Sequence, residues 1–288
     1  MLEIVSEHSC FGGIQAFYRH DSEVIGLPMQ FAVYHPSVER KRLVPVLFFL
    51  AGLTCNEETF MIKGGAQRWG AQRWASQHGI MLVAPDTSPR NTIIPEADKD
   101  WEMGTAASFY LDATQAPWNR HFRMESYVVH ELLSLILIEF NADGNRVGIC
   151  GHSMGGHGAL VLALRHPDRF RSVSALAPVS APMKCPWGQK AFSHYLGAGQ
   201  EQWAEYDASE LMRRRRAPFE HSILIDQGLT DKFLTTQLLP QEFEQACIQA
   251  GQSLTLRLHE GYDHSYYFIS SFIADHIAFH HRVLTGHA

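Results

Sequence analysis

Residues 147–160 read VGICGHSMGGHGAL, and this stretch decides the fold. A short apolar run enters it, a helix of small residues leaves it, and a Gly-x-Ser-x-Gly pattern lies between them at Gly151, Ser153 and Gly155. This order is typical of a nucleophile elbow, in which a strained turn holds a serine hydroxyl above the end of a sheet. The Gly-x-Ser-x-Gly pattern also fits a glycine-rich turn that has no catalytic role. It indicates a nucleophile only if suitable catalytic partners lie elsewhere in the chain. On that condition the stretch predicts Ser153 as a nucleophile.

Buried strands alternate with helices on both sides of the elbow, which indicates an α/β chain with a mostly parallel sheet covered on both faces. Residues 1–42 resemble the opening of an antiparallel edge, because Met29, Phe31 and Val33 alternate with polar or small neighbours. The predicted strands are 44–50 and 80–84, which are expected to be buried, and 146–150, 172–177, 222–226 and 254–258. The predicted helices are 66–78, 124–140, 155–165, 238–250 and 265–284.

Two stretches interrupt the alternation of strands and helices. Residues 87–119 have no clear period, and a loop of that length inside a compact domain is usually functional. Residues 178–220 are punctuated by proline and glycine, which predicts an insertion or cap over the functional edge of the sheet. We find no repeat or linker, and therefore expect one domain over residues 1–288.

The composition of the chain restricts which binding partners and which cellular compartment we expect for the protein. The formal net charge is −6 over 288 residues, which argues against a nucleic-acid partner or an anionic membrane. We expect no signal peptide, because the first residues lack a basic start and a long apolar core, and no apolar run reaches the length of a membrane span. Five cysteines, odd in number and without a CxxC pair, favour reduced thiols in the cytoplasm over disulfides or zinc.

A serine nucleophile needs a base, and after an elbow the expected chain order is serine, acid, histidine. His264 lies after the last predicted strand and at the head of the last helix, which makes it the preferred base. His259 is the rival, although it lies within two residues of the end of that strand. His157 and His166 lie on or end the elbow helix and cannot fold back onto Ser153. The pair at His280 and His281 is expected to interact with the dipole of the terminal helix.

The acid is expected in residues 226–233, which read DQGLTDKF. Asp231 lies in the loop and can reach a histidine loop, so it is preferred. Asp226 ends the predicted strand and is expected to brace the turn at Gly228 through its side chain. Asp263 ranks third, because the side chains of adjacent residues such as Asp263 and His264 usually diverge.

Two backbone N–H groups are expected to form an oxyanion hole. One belongs to Met154, the residue after the nucleophile, and the other to Leu53, in the loop after strand 44–50. Cys55 lies two residues further along, where a small buried hydrophobe and a side chain near the site are equally good interpretations. This mechanism requires no metal and no cofactor.

With these residues in place, the chain resembles the S-formylglutathione hydrolase, or esterase D, family of the α/β-hydrolase superfamily. The matching stretches are LAGLTC at 50–55, APDTSPR at 84–90, FYLDAT at 109–114, GHSMGGHGAL at 151–160, CPWGQKAF at 185–192, DQG at 226–228 with Asp231 and the FL at 233–234, and YDHSYYF at 262–268. They extend over nearly the whole chain.

The resemblance implies an α/β-hydrolase fold, a triad of Ser153, Asp231 and His264, and hydrolysis of S-formylglutathione to glutathione and formate. It also implies side activity on small aryl esters, a frequent dimer, and a position for Trp187 at the border of the substrate cleft. The chain departs from the family at Asn91, where glycine is usual, and at residues 105–108, which read TAAS in place of a glycine-rich segment.

Two alternatives remain at this point: a broad short-chain carboxylesterase with the same machinery, and a catalytically silent domain used for binding. Four basic residues could pair with the carboxylates of glutathione, although solubility of the surface explains each of them equally well. These residues are Lys63, Arg90, Lys184 and Lys190.

Overall fold

The computed structural model describes residues 1–37, 42–64 and 70–286. Its centre is a nine-stranded sheet in the order β1-β2-β3-β5-β4-β6-β7-β8-β9. The six strands from β5 to β9 in this order are parallel, which confirms the predicted mostly parallel sheet. The strands are β1 (Glu3–Cys10), β2 (Gly13–Asp21), β3 (Pro28–His35), β4 (Val44–Leu50), β5 (Met81–Pro85), β6 (Ala142–His152), β7 (Ser172–Leu176), β8 (Ile223–Gly228) and β9 (Leu254–His259).

The antiparallel edge predicted for the first residues is confirmed. Strands β1, β2 and β3 pair antiparallel in chain order, and β3 then pairs antiparallel with β5. Met29, Phe31 and Val33 of β3 are buried. Residues 38–41, in the connection to β4, lie outside the described part of the chain.

The central strands are buried because helices cover both faces of the sheet. Every residue of β4 and β5 is buried. On one face, Cys150 of β6 contacts His276 of the terminal helix, and a Cβ on Gly148 would meet His280 of that helix. On the other face, a Cβ on Gly151 would meet the backbone of the elbow helix at Gly155. This alternation along one strand is the two-residue period of a β-strand.

Helices occupy most of the predicted positions. The terminal helix and the elbow helix match their predictions closely, and the predicted helix over 124–140 consists of two α-helical pieces joined by a π-helical stretch, Tyr127–Leu132. The α-helices are α1 (Glu57–Lys63), α2 (Ala71–His78), α3 (Met124–Ser126), α4 (Leu133–Glu139), α5 (Met154–Arg165), α6 (Pro186–Tyr195), α7 (Gln200–Ala204), α8 (Ala208–Arg214), α9 (Pro240–Ala250) and α10 (Tyr266–Thr285).

Two helical predictions differ from the structure. The helix expected over 66–78 is observed from Ala71, after Gly70 as its N-cap, and residues 66–69 lie outside the described residues. The prediction missed α1, which has an Asn56 capping box but only seven residues. A helix that short gives too little periodic pattern to detect.

The two interrupting stretches lie near the carboxyl ends of the parallel strands. Residues 87–117 form no helix, and several of their side chains, such as Phe109 and Tyr110, are completely buried. Residues 178–220 hold the short helices α6, α7 and α8 between β7 and β8. Among the described residues, no helix is long and apolar enough to cross a membrane.

Candidate active site

Ser153 occupies a strained turn between β6 and α5. Its φ of 58° and ψ of −118° are unfavourable for a residue with a side chain, and such strain concentrates at functional sites. The neighbours must be glycines, because a Cβ on Gly151 would lie 2.1 Å from the Gly155 carbonyl and one on Gly155 would lie 1.9 Å from the Leu50 carbonyl. The turn therefore has the geometry of a nucleophile elbow.

The structure brings His264 and Asp231 to this serine. Nε2 of His264 lies 2.9 Å from Oγ of Ser153, and Nδ1 of His264 lies 2.5 Å from Oδ2 of Asp231. The backbone N–H of Phe233 donates to the other carboxylate oxygen of Asp231 at 2.8 Å. The Asp231 side chain is fully buried, whereas that of His264 is 18% exposed towards the cleft. The three groups form a continuous line from carboxylate to hydroxyl.

Backbone hydrogen bonds hold the acid loop against the histidine loop. The N–H and the hydroxyl of Thr230 both donate to the carbonyl of Tyr262, at 3.0 and 2.7 Å. Gly228 allows the close approach, because a Cβ there would lie 2.4 Å from the same carbonyl. The separation between Asp231 and His264 is thus fixed by the two loops that follow β8 and β9.

The other candidate histidines and aspartates contact groups outside this triad. His259 bonds to Asp226 at 3.1 Å, and Asp263 accepts hydrogen bonds from the backbone and hydroxyl of Ser265 at the start of α10. His166 bonds to Glu125. His157 is fully buried within the elbow helix, and burial lowers its pKa to about 3.

Two expectations for these rivals were wrong. Asp226 does not brace the turn at Gly228: its fully buried carboxylate binds Arg257 through both oxygens and accepts from His276 at 3.0 Å. Gly228 is needed instead because the carbonyl of Tyr262 lies too close for a side chain at that position. His280 does not pair as a cation with the helix dipole, because it is completely buried between the hydroxyls of Ser172 and Ser174. Burial and the neighbouring His276 lower the pKa of His280 well below its ordinary value, so it is neutral.

The two predicted oxyanion donors flank the serine. Met154 is the first residue of α5, so its N–H has no carbonyl one turn earlier in the helix. The loop bearing Leu53 packs directly on the elbow, since a Cβ on Gly52 would lie 3.2 Å from the Cβ of Ser153. Among the described residues, the Leu53 N–H makes no hydrogen bond to a protein group. Both N–H groups are therefore available to a ligand.

A cavity of about 340 Å³ opens over Ser153 and His264. Leu53 and both predicted cleft residues, Cys55 and Trp187, line it. Cys55 is half-buried with its Sγ 3.9 Å from the hydroxyl of Tyr266, and burial raises the pKa of its thiol. The indole N–H of Trp187 donates to the carbonyl of Glu102, which joins α6 to the 87–117 loop.

The sequence interpretation missed other lining residues. The ring of His152 lies 4.5 Å from the ring of His264, centre to centre. The ring of Phe233 contacts His264 edge to face, at 5.1 Å between the ring centres. Burial, with His264 beside it, lowers the pKa of His152 well below its ordinary value, so it adds no charge to the site. His152 lies next to Ser153 in the sequence, and Phe233 lies two residues after Asp231. This closeness to predicted catalytic residues is the one signal that could have indicated them. Further lining residues are Trp101, Val179, Gln237, Leu238 and Tyr266.

The 87–117 loop supports the elbow from the side. Its Tyr110 hydroxyl donates to the carbonyl of Ala51 at 2.9 Å, which holds the strand end that leads to the oxyanion loop. Asn91 and Ala106, both at departures from the resembled family, have φ values of 53° and 62°. This is the left-handed region that glycine adopts readily. Both residues therefore adopt a backbone conformation that glycine favours.

Comparisons with known proteins agree with this geometry. A family model described as putative esterase matches residues 22–279. The S-formylglutathione hydrolase of Rattus norvegicus is 48% identical over 286 residues, which cover 99% of each chain, and that of Paracoccus denitrificans is 48% identical over 278 residues, 96% of each. The structure of an S-formylglutathione hydrolase from Agrobacterium tumefaciens is 46% identical, with a TM-score of 0.92 over 98% of this chain and 99% of that one. The predicted α/β-hydrolase fold is thereby confirmed.

Proposed function

This chain belongs to the putative esterase family and, within it, to the S-formylglutathione hydrolases, and on that premise we propose that it hydrolyses S-formylglutathione to glutathione and formate through an acyl-enzyme. The observation that carries the proposal is the line of hydrogen bonds from Asp231 through His264 to Ser153 at the base of an open cavity.

Acylation begins at the hydroxyl of Ser153. Nε2 of His264 accepts the hydroxyl proton while Oγ attacks the formyl carbon, because the 2.9 Å contact already places the base at the nucleophile. The buried carboxylate of Asp231 holds Nδ1 protonated and stabilises the imidazolium that forms. The N–H groups of Leu53 and Met154 bind the oxygen that becomes negative. Each such donor contributes a factor of about 10²–10³ to turnover.

Collapse of the tetrahedral intermediate breaks the carbon–sulfur bond, and His264 returns its proton to the departing glutathione sulfur. Water then enters the vacated cleft, gives a proton to His264 and attacks the formyl-serine. In the second collapse His264 returns that proton to Oγ, which restores the Ser153 hydroxyl and releases formic acid, and this acid ionises to formate in water. Each proton exchanged with Oγ, the sulfur and the attacking water passes through Nε2 of His264, and neutral His152 beside it does not compete for the proton.

The test compares two substrates and one variant. The Ser153→Ala variant should retain the fold and the melting temperature but lose turnover by roughly 10³-fold or more on both S-formylglutathione and an aryl acetate. A fluorophosphonate probe should label the parent enzyme and not the variant. If the parent enzyme turns over aryl acetates better than S-formylglutathione, the chain is a broad short-chain carboxylesterase. If folded Ser153→Ala keeps its activity, the assignment of the nucleophile is wrong.

We further propose that the enzyme works in the cytoplasm and as a homodimer. All five cysteines are free thiols, as expected in a reducing compartment. The edge strand β1 exposes Ile4 and Val5 at 59% and 50%, and an exposed apolar edge favours pairing with another strand. Sedimentation equilibrium should give twice the mass of 32.5 kDa, and a single-chain mass would exclude the dimer.

A further inference from the structure

Basic residues near the cleft differ in whether a carboxylate already neutralises them. Three of the four candidates from the sequence are paired: Arg90 with Asp86, Lys184 with Glu242, and Lys190 with both Asp100 and Glu102. Lys63 is the exception, because no carboxylate of the described residues lies within ion-pair distance of its ammonium. An uncompensated cation in the wall of a cleft attracts an anionic ligand.

Lys63 is also the member of this set that lines the cavity over Ser153. It is the last residue of α1, which begins just after the oxyanion loop, and it is exposed. Its Nζ lies 5.9 Å from the ring centre of Tyr266, and that ring lies 6.1 Å from the ring of His152 beside the catalytic histidine. The ammonium is therefore two ring contacts away from His152, on the rim of the same cavity.

We propose that the Lys63 ammonium binds a carboxylate of the peptide half of the thioester substrate. This inference rests on the proposed function, because S-formylglutathione carries two carboxylates and one ammonium, whereas a simple ester carries neither. Ser153 and Lys63 line the same cavity, so a substrate whose thioester lies at Ser153 can place its peptide half beside the Lys63 ammonium.

The ion pair would act on a part of the substrate that does not react. Binding energy from such a remote group can hold the thioester in line with the serine hydroxyl, so its loss lowers kcat/KM for the substrate that carries the group. An exposed ion pair is also screened by salt. Lys63 is thus a specificity-determining residue for peptide thioesters, and it has no part in the chemistry at the acyl carbon.

The experiment uses the full-length enzyme with Lys63→Met, Lys63→Arg and the matched control Lys184→Met. Lys184 is also a lysine with an exposed side chain, but Glu242 neutralises it and it lies outside the cavity lining. Lys63→Met should lower kcat/KM for S-formylglutathione by roughly two- to fivefold, as expected for the loss of one exposed ion pair. It should leave kcat/KM for a neutral aryl acetate unchanged. Lys63→Arg should restore most of the loss, and Lys184→Met should match the parent enzyme on both substrates.

Two further readouts separate recognition of charge from a structural effect. Raising the ionic strength should lower kcat/KM of the parent enzyme for S-formylglutathione and should have a smaller effect on Lys63→Met. The diethyl ester of S-formylglutathione, which has no carboxylate, should be turned over equally by both. An equal loss on S-formylglutathione and on the aryl acetate would overturn the inference, and so would no loss on either. If the parent enzyme does not prefer S-formylglutathione over the aryl ester, it is the proposed function that fails.

Discussion

Oδ2 of Asp231 lies 2.5 Å from Nδ1 of His264, and the carboxylate is fully buried. An amide at this position could present its NH₂ group to Nδ1 and favour the wrong imidazole tautomer. We therefore expect Asp231→Asn to lower kcat by about 10⁴-fold while the enzyme stays folded. Steady-state kinetics on S-formylglutathione, with circular dichroism as a check on folding, measures this.

Asp226→Asn and Asp263→Asn are the matched controls. Asp226 belongs to a buried charge cluster, so its replacement should destabilise the fold by about 3–5 kcal/mol and affect activity mainly through the folded fraction. Asp263 is exposed, and its carboxylate accepts a hydrogen bond from the N–H of Ser265, just before α10. Its replacement should have a small effect on both stability and activity. A silent Asp231→Asn variant would reassign the catalytic acid.

The second prediction concerns His276 of α10, whose ring is completely buried against β6, β7 and β8. Burial by itself lowers the pKa of this imidazole, but hydrogen bonds to Asp226 and Cys150 outweigh burial and raise the pKa to about 9. A raised folded-state pKa means that the protonated ring stabilises the fold fully below the unfolded pKa of about 6.5 and progressively less up to about 9. The melting temperature should therefore fall as the pH rises from 6 to 8.

His276→Gln isolates this effect from other titrating groups. The variant should melt at a lower temperature than the parent enzyme at pH 6, and the difference should shrink towards pH 8. Thermal unfolding at constant ionic strength gives both curves. Parallel curves with a constant offset would show that His276 is not protonated in the folded protein.

The fold was predictable where a pattern is long and repeated. Continuous apolar runs identified the buried strands, and the Gly-Ser-Gly turn identified the elbow, because a Cβ at either glycine collides with backbone at 2.1 Å or less. Helix α1 was not predictable, since its seven residues are defined by an Asn56 cap rather than by a period. The π-helical turn at Tyr127–Leu132 likewise leaves no clear pattern in the sequence.

At the site, chain order selected the three side chains that converge, because each follows a different strand end. Local reasoning about the turn at Gly228 and the dipole of α10 failed for Asp226 and His280, since their partners lie more than 30 residues away in the sequence. A local argument about a turn or a helix dipole cannot anticipate a buried network assembled across the sheet. Lys63 could not be separated from the other basic residues either, because their carboxylate partners become visible only in three dimensions.

The third prediction concerns Cys55, whose half-buried thiol lines the cavity next to Tyr266. A bulky thiol reagent at this position should block the cleft or displace the Leu53 loop and inactivate the enzyme. Burial raises the pKa of the thiol, so inactivation should be slow at pH 7 and faster at higher pH. The Cys55→Ser variant should resist the reagent, with activity on an aryl acetate as the readout. Inactivation of Cys55→Ser at the rate of the parent enzyme would place the reactive thiol elsewhere.

The last prediction concerns the size of the acyl group. Val179 lines the cavity and lies against the nucleophile, because its N–H donates to the carbonyl of Ser153 at 3.3 Å, and Leu238 adds a second apolar wall. Both are almost completely buried. We expect these walls to accept a formyl group and to oppose each added methylene, at a cost of about 1–3 kcal/mol in transition-state binding.

We therefore expect kcat/KM to fall steeply from formyl to acetyl to butyryl within one series of glutathione thioesters. Val179→Ala should flatten this order by raising the butyryl rate more than the formyl rate, because it removes wall atoms without touching Ser153, His264 or Asp231. The glutathione thioester should also exceed an aryl ester of the same acyl group, since only the former reaches Lys63. A flat response to acyl length in the parent enzyme, or a butyryl aryl ester as its best substrate, would contradict the S-formylglutathione assignment and favour a general carboxylesterase. That result would also point to Asn91 and residues 105–108, the two departures from the family pattern in the loop beside the elbow, as the cause of the changed substrate preference.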